Sequence, residues 1–135
     1  MRASFLKPAI GLLFAAALVS QPEVAAAQIR STLDGVYTDE QARRGAQLNR
    51  DVCSECHYDE DFTDVLMMSW AEAPANALYQ VISTQMPEDN PGSLAPEQYA
   101  DILAYIFKVN GMPPGPKALE PTDEVLRNII IRQKQ

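Results

Sequence analysis

The chain has 135 residues, of which 11 are basic and 18 acidic, so its formal net charge is −7 at neutral pH. This balance argues against nucleic acid and anionic membrane surfaces as partners, because both repel an acidic protein. The acidic charge either steers a partner with a basic docking patch toward the protein or simply keeps the protein soluble. The length is that of one small domain with a limited core of its own.

Residues 1–27 have the pattern of a cleaved secretory signal. Arg2 and Lys7 give a positive start, the apolar run 10–19 follows, and three alanines offer a cleavage site before Gln28. The run is too short to span a bilayer comfortably, so an uncleaved membrane anchor is the weaker alternative. We expect a soluble, monomeric protein in the bacterial periplasm, without a membrane span and one charge unit more negative than the precursor.

The first helix is predicted over residues 38–52, after a short irregular lead-in. Thr38 and Gln41 have the spacing of a capping box, and no Pro interrupts the segment. Gly45 lies inside this helix, where a glycine costs about 1 kcal/mol relative to alanine. We therefore expect another backbone to cross close to Gly45.

The segment 53–57 follows this helix and reads Cys-Ser-Glu-Cys-His, which is the spacing for covalent attachment of one c-type haem. On one turn of helix the thiols of Cys53 and Cys56 can each form a thioether with a vinyl group, while the imidazole of His57 reaches the iron from the proximal side. The sequence has no other cysteine or histidine. The prediction depends on export, because haem is attached to such proteins outside the bacterial cytoplasm.

Three other interpretations of the motif are weaker. A structural zinc site needs four ligands and would have to recruit Asp59, Glu60 or Asp61. A thioredoxin-like dithiol follows a strand in a βαβ unit, and no strand pattern precedes the motif. A plain disulfide between Cys53 and Cys56 is the purely structural alternative.

Residues 58–73 are poorly periodic and are predicted to form a loop with a short buried anchor. Met67 and Met68 lie among apolar neighbours and are expected to be packing residues. The acidic side chains of this segment form a candidate docking side for a basic partner: Asp59, Glu60, Asp61 and Asp64.

A second helix is predicted from Pro74, with apolar residues at three- and four-residue steps. It ends at Met86, because Pro87 disfavours helical geometry at the residue before it. Met86 therefore lies on a bend, free to point its sulfur away from the helix. His/Met ligation is typical of electron-transfer cytochromes c, and the bend favours Met86 over Met67, Met68 and Met112 as the distal iron ligand.

A third helix is predicted from Pro96 to Asn110. Two alanines beside its core face leave a strip where we expect the first helix to approach at Gly45. The tail 113–135 is Pro-rich, with a short amphipathic piece around 123–128 before three isoleucines. The core face follows the i, i+3, i+4, i+7 rule: Tyr99, Ile102, Leu103 and Ile106.

Five segments together resemble the class I single-haem cytochromes c, above all those that accompany periplasmic quinoprotein alcohol dehydrogenases: residues 37–45, 53–57, 84–94, 98–106 and 110–111. The resemblance implies an all-α cytochrome c fold over residues 28–135, in which three main helices with a core of about 37–112 surround one covalent haem.

By the same resemblance, each candidate site residue takes a role. Cys53 and Cys56 attach the haem, His57 and Met86 ligate its iron, and Trp70 either packs on the haem or is an ordinary buried aromatic. Members of the family usually have a glycine soon after the histidine and a Pro-containing loop whose carbonyl accepts the histidine's Nδ1 proton. Here a tyrosine follows His57 and no Pro occurs between His57 and Pro74, so the sequence does not identify that acceptor.

We therefore expect an electron carrier and not an enzyme, since no catalytic constellation is visible. Its expected partners are periplasmic redox proteins, such as a quinoprotein dehydrogenase and a terminal oxidase. One alternative is a haem subunit bound permanently to a dehydrogenase or reductase. Another is a ligand sensor with an open distal site, which requires that Met86 does not hold the iron.

Overall fold

The computed structural model describes residues 28–134, so the predicted signal at 1–27 lies outside the described residues. Within that range the chain is mostly helical, which agrees with the predicted all-α class. Its elements are β1 (Arg30–Ser31), a 3₁₀ turn (Thr32–Asp34), α1 (Asp39–Leu48), a π turn (Asn49–Cys53), a second 3₁₀ turn (Asp59–Phe62), α2 (Asp64–Trp70), α3 (Ala75–Gln85), α4 (Pro96–Val109), α5 (Asp123–Arg127) and β2 (Ile129–Ile130).

All three main helices begin within one residue of the predicted start, and α3 and α4 also end within one residue of the predicted end, whereas α1 ends at Leu48, before the predicted residue 52. Thr38 Oγ1 accepts the N–H of Gln41 at 3.2 Å, and Gln41 Oε1 accepts the N–H of Thr38 at 3.4 Å, so the predicted capping box is confirmed. α3 ends directly before Met86, and α4 begins at Pro96. All four predicted core residues of α4 are buried.

The first helix changes its hydrogen bonding before it reaches the cysteine motif. The α-helix ends at Leu48, and the π turn carries the chain on to Cys53. The N–H of Ser54 donates to the carbonyl of Asn49 at 2.9 Å, a step of five residues. Single π turns of this kind often occur at functional sites.

The predicted crossing at Gly45 is confirmed, and its partner is α4. A Cβ atom at residue 45 would lie 1.9 Å from the carbonyl oxygen of Asp101 and 2.9 Å from Cβ of Tyr105. These two residues directly follow the two predicted alanines. Arg44 holds the same crossing, because its Nε and NH2 groups donate to the two carboxylate oxygens of Asp101, each at 2.7 Å.

The prediction of a loop over residues 58–73 is wrong, because the segment contains the second 3₁₀ turn and α2. Met67 is fully buried, as expected of a packing residue, but Met68 is 76% exposed and its predicted packing role is wrong. Adjacent residues of a helix point about 100° apart, so the burial of Met67 does not by itself bury Met68. A helix of seven residues is too short to show a repeating apolar pattern.

The two ends of the described chain pair with each other, and the sequence did not predict this. β1 and β2 are parallel, with Arg30 opposite Ile129 and Ser31 opposite Ile130. The tail also extends the hydrophobic core beyond the expected range of 37–112. Its buried members are Leu119, Leu126, Ile129 and Ile131.

Candidate functional site

A cavity of about 460 Å³ lies between α3, α4 and the cysteine motif. This volume is within the range of pockets that hold cofactors and other small molecules. Much of its wall comes from the apolar faces that helical periodicity predicted for α3 and α4. These wall residues are Leu78, Val81, Ile82, Tyr99, Ile102 and Ile106.

The cysteine motif forms another part of the wall. The N–H groups of Cys56 and His57 donate to the carbonyl of Cys53 at 3.1 Å and 2.9 Å, so the segment closes into a single turn. Both cysteines and the histidine line the cavity. One turn thus presents two thiols and an imidazole to the same apolar space.

The chemistry of this turn argues against the competing interpretations. Both cysteines are free thiols, so the predicted alternative of a disulfide is not formed. Burial raises the pKa of Cys53, whereas a reactive dithiol needs a lowered thiol pKa. Within residues 28–134, no group of three or more His, Cys, Asp and Glu side chains is placed to hold a metal ion, so no zinc ligand set is assembled around the motif there.

Met86 lines the same cavity from the bend after α3. Its carbonyl oxygen accepts the hydroxyl of Tyr99 at 2.7 Å and the N–H of Gly92 at 3.3 Å, so two bonds fix the backbone of the bend. The other methionines of residues 28–134 are elsewhere: Met67 and Met112 are buried in the core, and Met68 is exposed. Met86 is the methionine that the described structure brings to the cavity.

We expect Tyr99→Phe to loosen the bend without emptying the core, because the ring is kept and only the hydroxyl is lost. The bond to the Met86 carbonyl contributes about 1 kcal/mol. If Met86 ligates a haem iron as the sequence predicts, the weak long-wavelength sulfur-to-iron band of the oxidised form should therefore disappear at a lower urea concentration than in the wild type.

The matched control is Tyr79→Phe, because the hydroxyl of Tyr79 donates to Pro96 at 3.2 Å and not to Met86. That variant should lose the band at nearly the wild-type urea concentration. If the two variants lose the band at the same urea concentration, the hydroxyl of Tyr99 does not stabilise the bend.

Two aromatic residues complete the site. Trp70, at the end of α2, lines the cavity and is half-buried, so its predicted contact with a haem stays a prediction. Phe62 was missed by the sequence analysis because it stands among acidic residues without periodicity. Its ring lies 5.4 Å from that of His57, tilted by 59°, and the Nδ2 of Asn110 donates to its carbonyl at 2.7 Å.

No protein-family model, curated protein or solved structure matches the chain. Function must therefore be inferred from the site itself. The site brings together two thiols, an imidazole nitrogen and a soft thioether sulfur, which are donor types that can attach a haem and bind its iron. Its apolar walls would cover a large flat cofactor, and each Å² of apolar surface removed from water contributes about 25 cal/mol.

The rim of the cavity is acidic. The described residues that line it include Glu55, Asp61, Glu88 and Asp89, but no Lys or Arg. Asp59 and Glu60 are exposed on the turn that carries Asp61, so the predicted acidic cluster extends this rim. The side chain of Asp64, the fourth predicted member, lies outside the described part of the structure. In residues 28–134, no helix has both the length and the apolar character needed to cross a membrane.

Proposed function

We propose that this protein is a periplasmic electron carrier with one covalently attached c-type haem. The observation that carries the proposal is that Cys53, Cys56, His57 and Met86 all line one apolar cavity, although Met86 is far from the motif in sequence. If the Cys-x-x-Cys-His sequence had arisen by chance, there would be no reason for a methionine on a fixed bend to line the same cavity.

The residues of the cavity have complementary roles in this proposal. Cys53 and Cys56 would hold the haem through thioethers, with His57 and Met86 as the two axial ligands. A haem bound in this way supplies a one-electron change between ferric and ferrous iron. The apolar wall limits the access of water, which is one of the ways in which a protein sets a reduction potential.

The acidic rim of the cavity favours binding of a partner protein with a basic surface. Glu55, Glu88 and Asp89 are exposed at the cavity, so a basic protein attracted to them would approach the proposed haem. Periplasmic redox proteins, such as a quinoprotein dehydrogenase and a terminal oxidase, are the proposed partners. Their attraction should weaken with salt, because charge is screened over about 8 Å at physiological ionic strength.

We expect the haem to stay with the polypeptide under denaturing conditions. When the chain is exported by a bacterium that attaches c-type haem, acid-acetone extraction should leave the colour in the protein. The intact mass should equal that of residues 28–135 plus one haem. This result follows because thioether bonds survive conditions that break the iron ligands.

The control is a double variant, Cys53→Ser with Cys56→Ser, which keeps both iron ligands and removes both thioethers. Its colour should pass entirely into the solvent. If the wild-type colour is also extracted, or the mass shows no haem, the proposed function is wrong.

A further inference from the structure

We propose that Asp61 accepts the Nδ1 proton of His57 and thereby makes that imidazole a stronger donor to the haem iron. The inference rests on the proposed function and deepens it. A histidine that ligates a metal almost always donates its second ring N–H to a carboxylate, a carbonyl or water. That partner fixes the orientation of the ring and raises the basicity of the ligand.

The sequence leaves this acceptor unidentified, and the structure supplies a candidate. Nδ1 of His57 lies 3.5 Å from Oδ2 of Asp61, and both side chains line the cavity. Because the two ring nitrogens stand on different edges of the imidazole, an Nδ1 turned toward Asp61 leaves Nε2 as the nitrogen for iron. A hydrogen bond of 2.7–3.2 Å requires a movement of roughly half an ångström from the observed distance.

The Asp61 carboxylate is held in place by its own turn. Its Oδ2 accepts the N–H of Tyr58 at 2.9 Å, while the N–H of Asp61 donates to the carbonyl of Tyr58 at 3.0 Å. These two reciprocal bonds close the 3₁₀ turn directly after the motif. Rotating the carboxylate away from His57 would break one of them.

The same turn also fixes the ring of His57. Phe62, the last residue of the turn, packs against the imidazole, and its carbonyl is tied to α4 through Asn110. The N–H of His57 is bonded to Cys53. The imidazole thus has a fixed backbone, an aromatic contact and a carboxylate at its Nδ1 edge.

A carboxylate differs from a carbonyl acceptor because it carries a full negative charge. Accepting the Nδ1 proton, it pulls that proton from the ring and increases the electron density at Nε2. A stronger donor stabilises ferric iron relative to ferrous iron and lowers the reduction potential. Asp61 should therefore oppose Met86, whose neutral thioether raises the potential.

The test is the reduction potential of the haem-loaded variant Asp61→Asn. Asparagine has the same size, and its amide oxygen can still accept the N–H of Tyr58, so the turn is kept while the charge is lost. Asp59→Asn and Glu60→Gln remove one charge from the same turn without touching Nδ1. We expect a rise in potential for Asp61→Asn that is clearly larger than in either control, and a smaller rise for Asp61→Glu.

A second measurement distinguishes the hydrogen bond from the charge alone. In the reduced Met86→Ala protein, where the distal ligand has been removed, the iron–histidine stretching frequency reports the donor strength of His57. Adding Asp61→Asn to this background should lower that frequency, whereas adding Asp59→Asn should leave it unchanged.

The inference is overturned if Asp61→Asn and Asp59→Asn raise the potential equally, or if the stretching frequency does not move. Both results would leave a covalent haem in place, so the proposed function would stand. If the haem is extracted from the wild-type protein, the proposed function and this inference fail together.

Discussion

Met86→Ala is expected to abolish the weak long-wavelength sulfur-to-iron band of the oxidised protein and to let carbon monoxide bind the reduced protein at neutral pH. Alanine has no donor atom, so the sixth position of the iron becomes open to water or to an added ligand. Axial ligands set haem potentials over roughly 0.8 V, and a thioether favours the ferrous state, so the potential should fall by on the order of 0.1 V or more.

The controls are Met67→Leu, Met68→Leu and Met112→Leu, which should all retain the band. Met67 and Met112 are core residues, where a swap of similar volume costs less than about 1.5 kcal/mol, and Met68 is exposed. If the band survives Met86→Ala and disappears in one of these controls, the distal ligand has been misassigned. If the wild-type protein already binds carbon monoxide, the sensor alternative replaces the electron carrier.

Gly45→Ala is expected to destabilise the protein by about 3 kcal/mol, because extra atoms in a tight contact are costly. Helix propensity alone predicts the opposite sign, a gain of about 1 kcal/mol. The steric clash outweighs this gain, since the new methyl group would lie 1.9 Å from the backbone carbonyl oxygen of Asp101, which cannot rotate away as a side chain can. α1 and α4 would have to separate.

The free energy of unfolding of the haem-loaded protein, measured by guanidinium titration and far-UV circular dichroism, checks this expectation. Arg43→Ala, on the exposed side of the same helix, is the matched control and should change stability by less than about 0.5 kcal/mol. A Gly45→Ala protein more stable than the wild type would contradict the close crossing of α1 and α4.

Local signals explain which parts of the site were predictable. Met86 was found because Pro87 ends a helix at a known position, and the cysteine motif was found because its spacing is short and specific. Gly45 indicated that another helix crosses close by, because a glycine inside a helix lowers the stability of that helix. Each of these inferences depends on neighbouring residues alone.

Asp61 and Phe62 could not be assigned in the same way. Their roles depend on a 3₁₀ turn that brings a carboxylate and an aromatic ring back to His57, and the surrounding run of acids carries no periodic pattern. The sequence showed that an acceptor for Nδ1 was missing, but only the folded turn showed which side chain stands there.

The pairing of β1 with β2 has a consequence for how the chain folds. The hydroxyl of Thr32 donates to the carbonyl of Arg132 and accepts its N–H, both at 2.9 Å, so residues 100 positions apart are joined at one point. Closing a flexible loop of about that length costs about 4 kcal/mol of chain entropy. Contacts of such long range form slowly. The native fold therefore cannot be completed until β2 and Arg132 are available, and the cysteine motif can form its turn well before β1 and β2 pair.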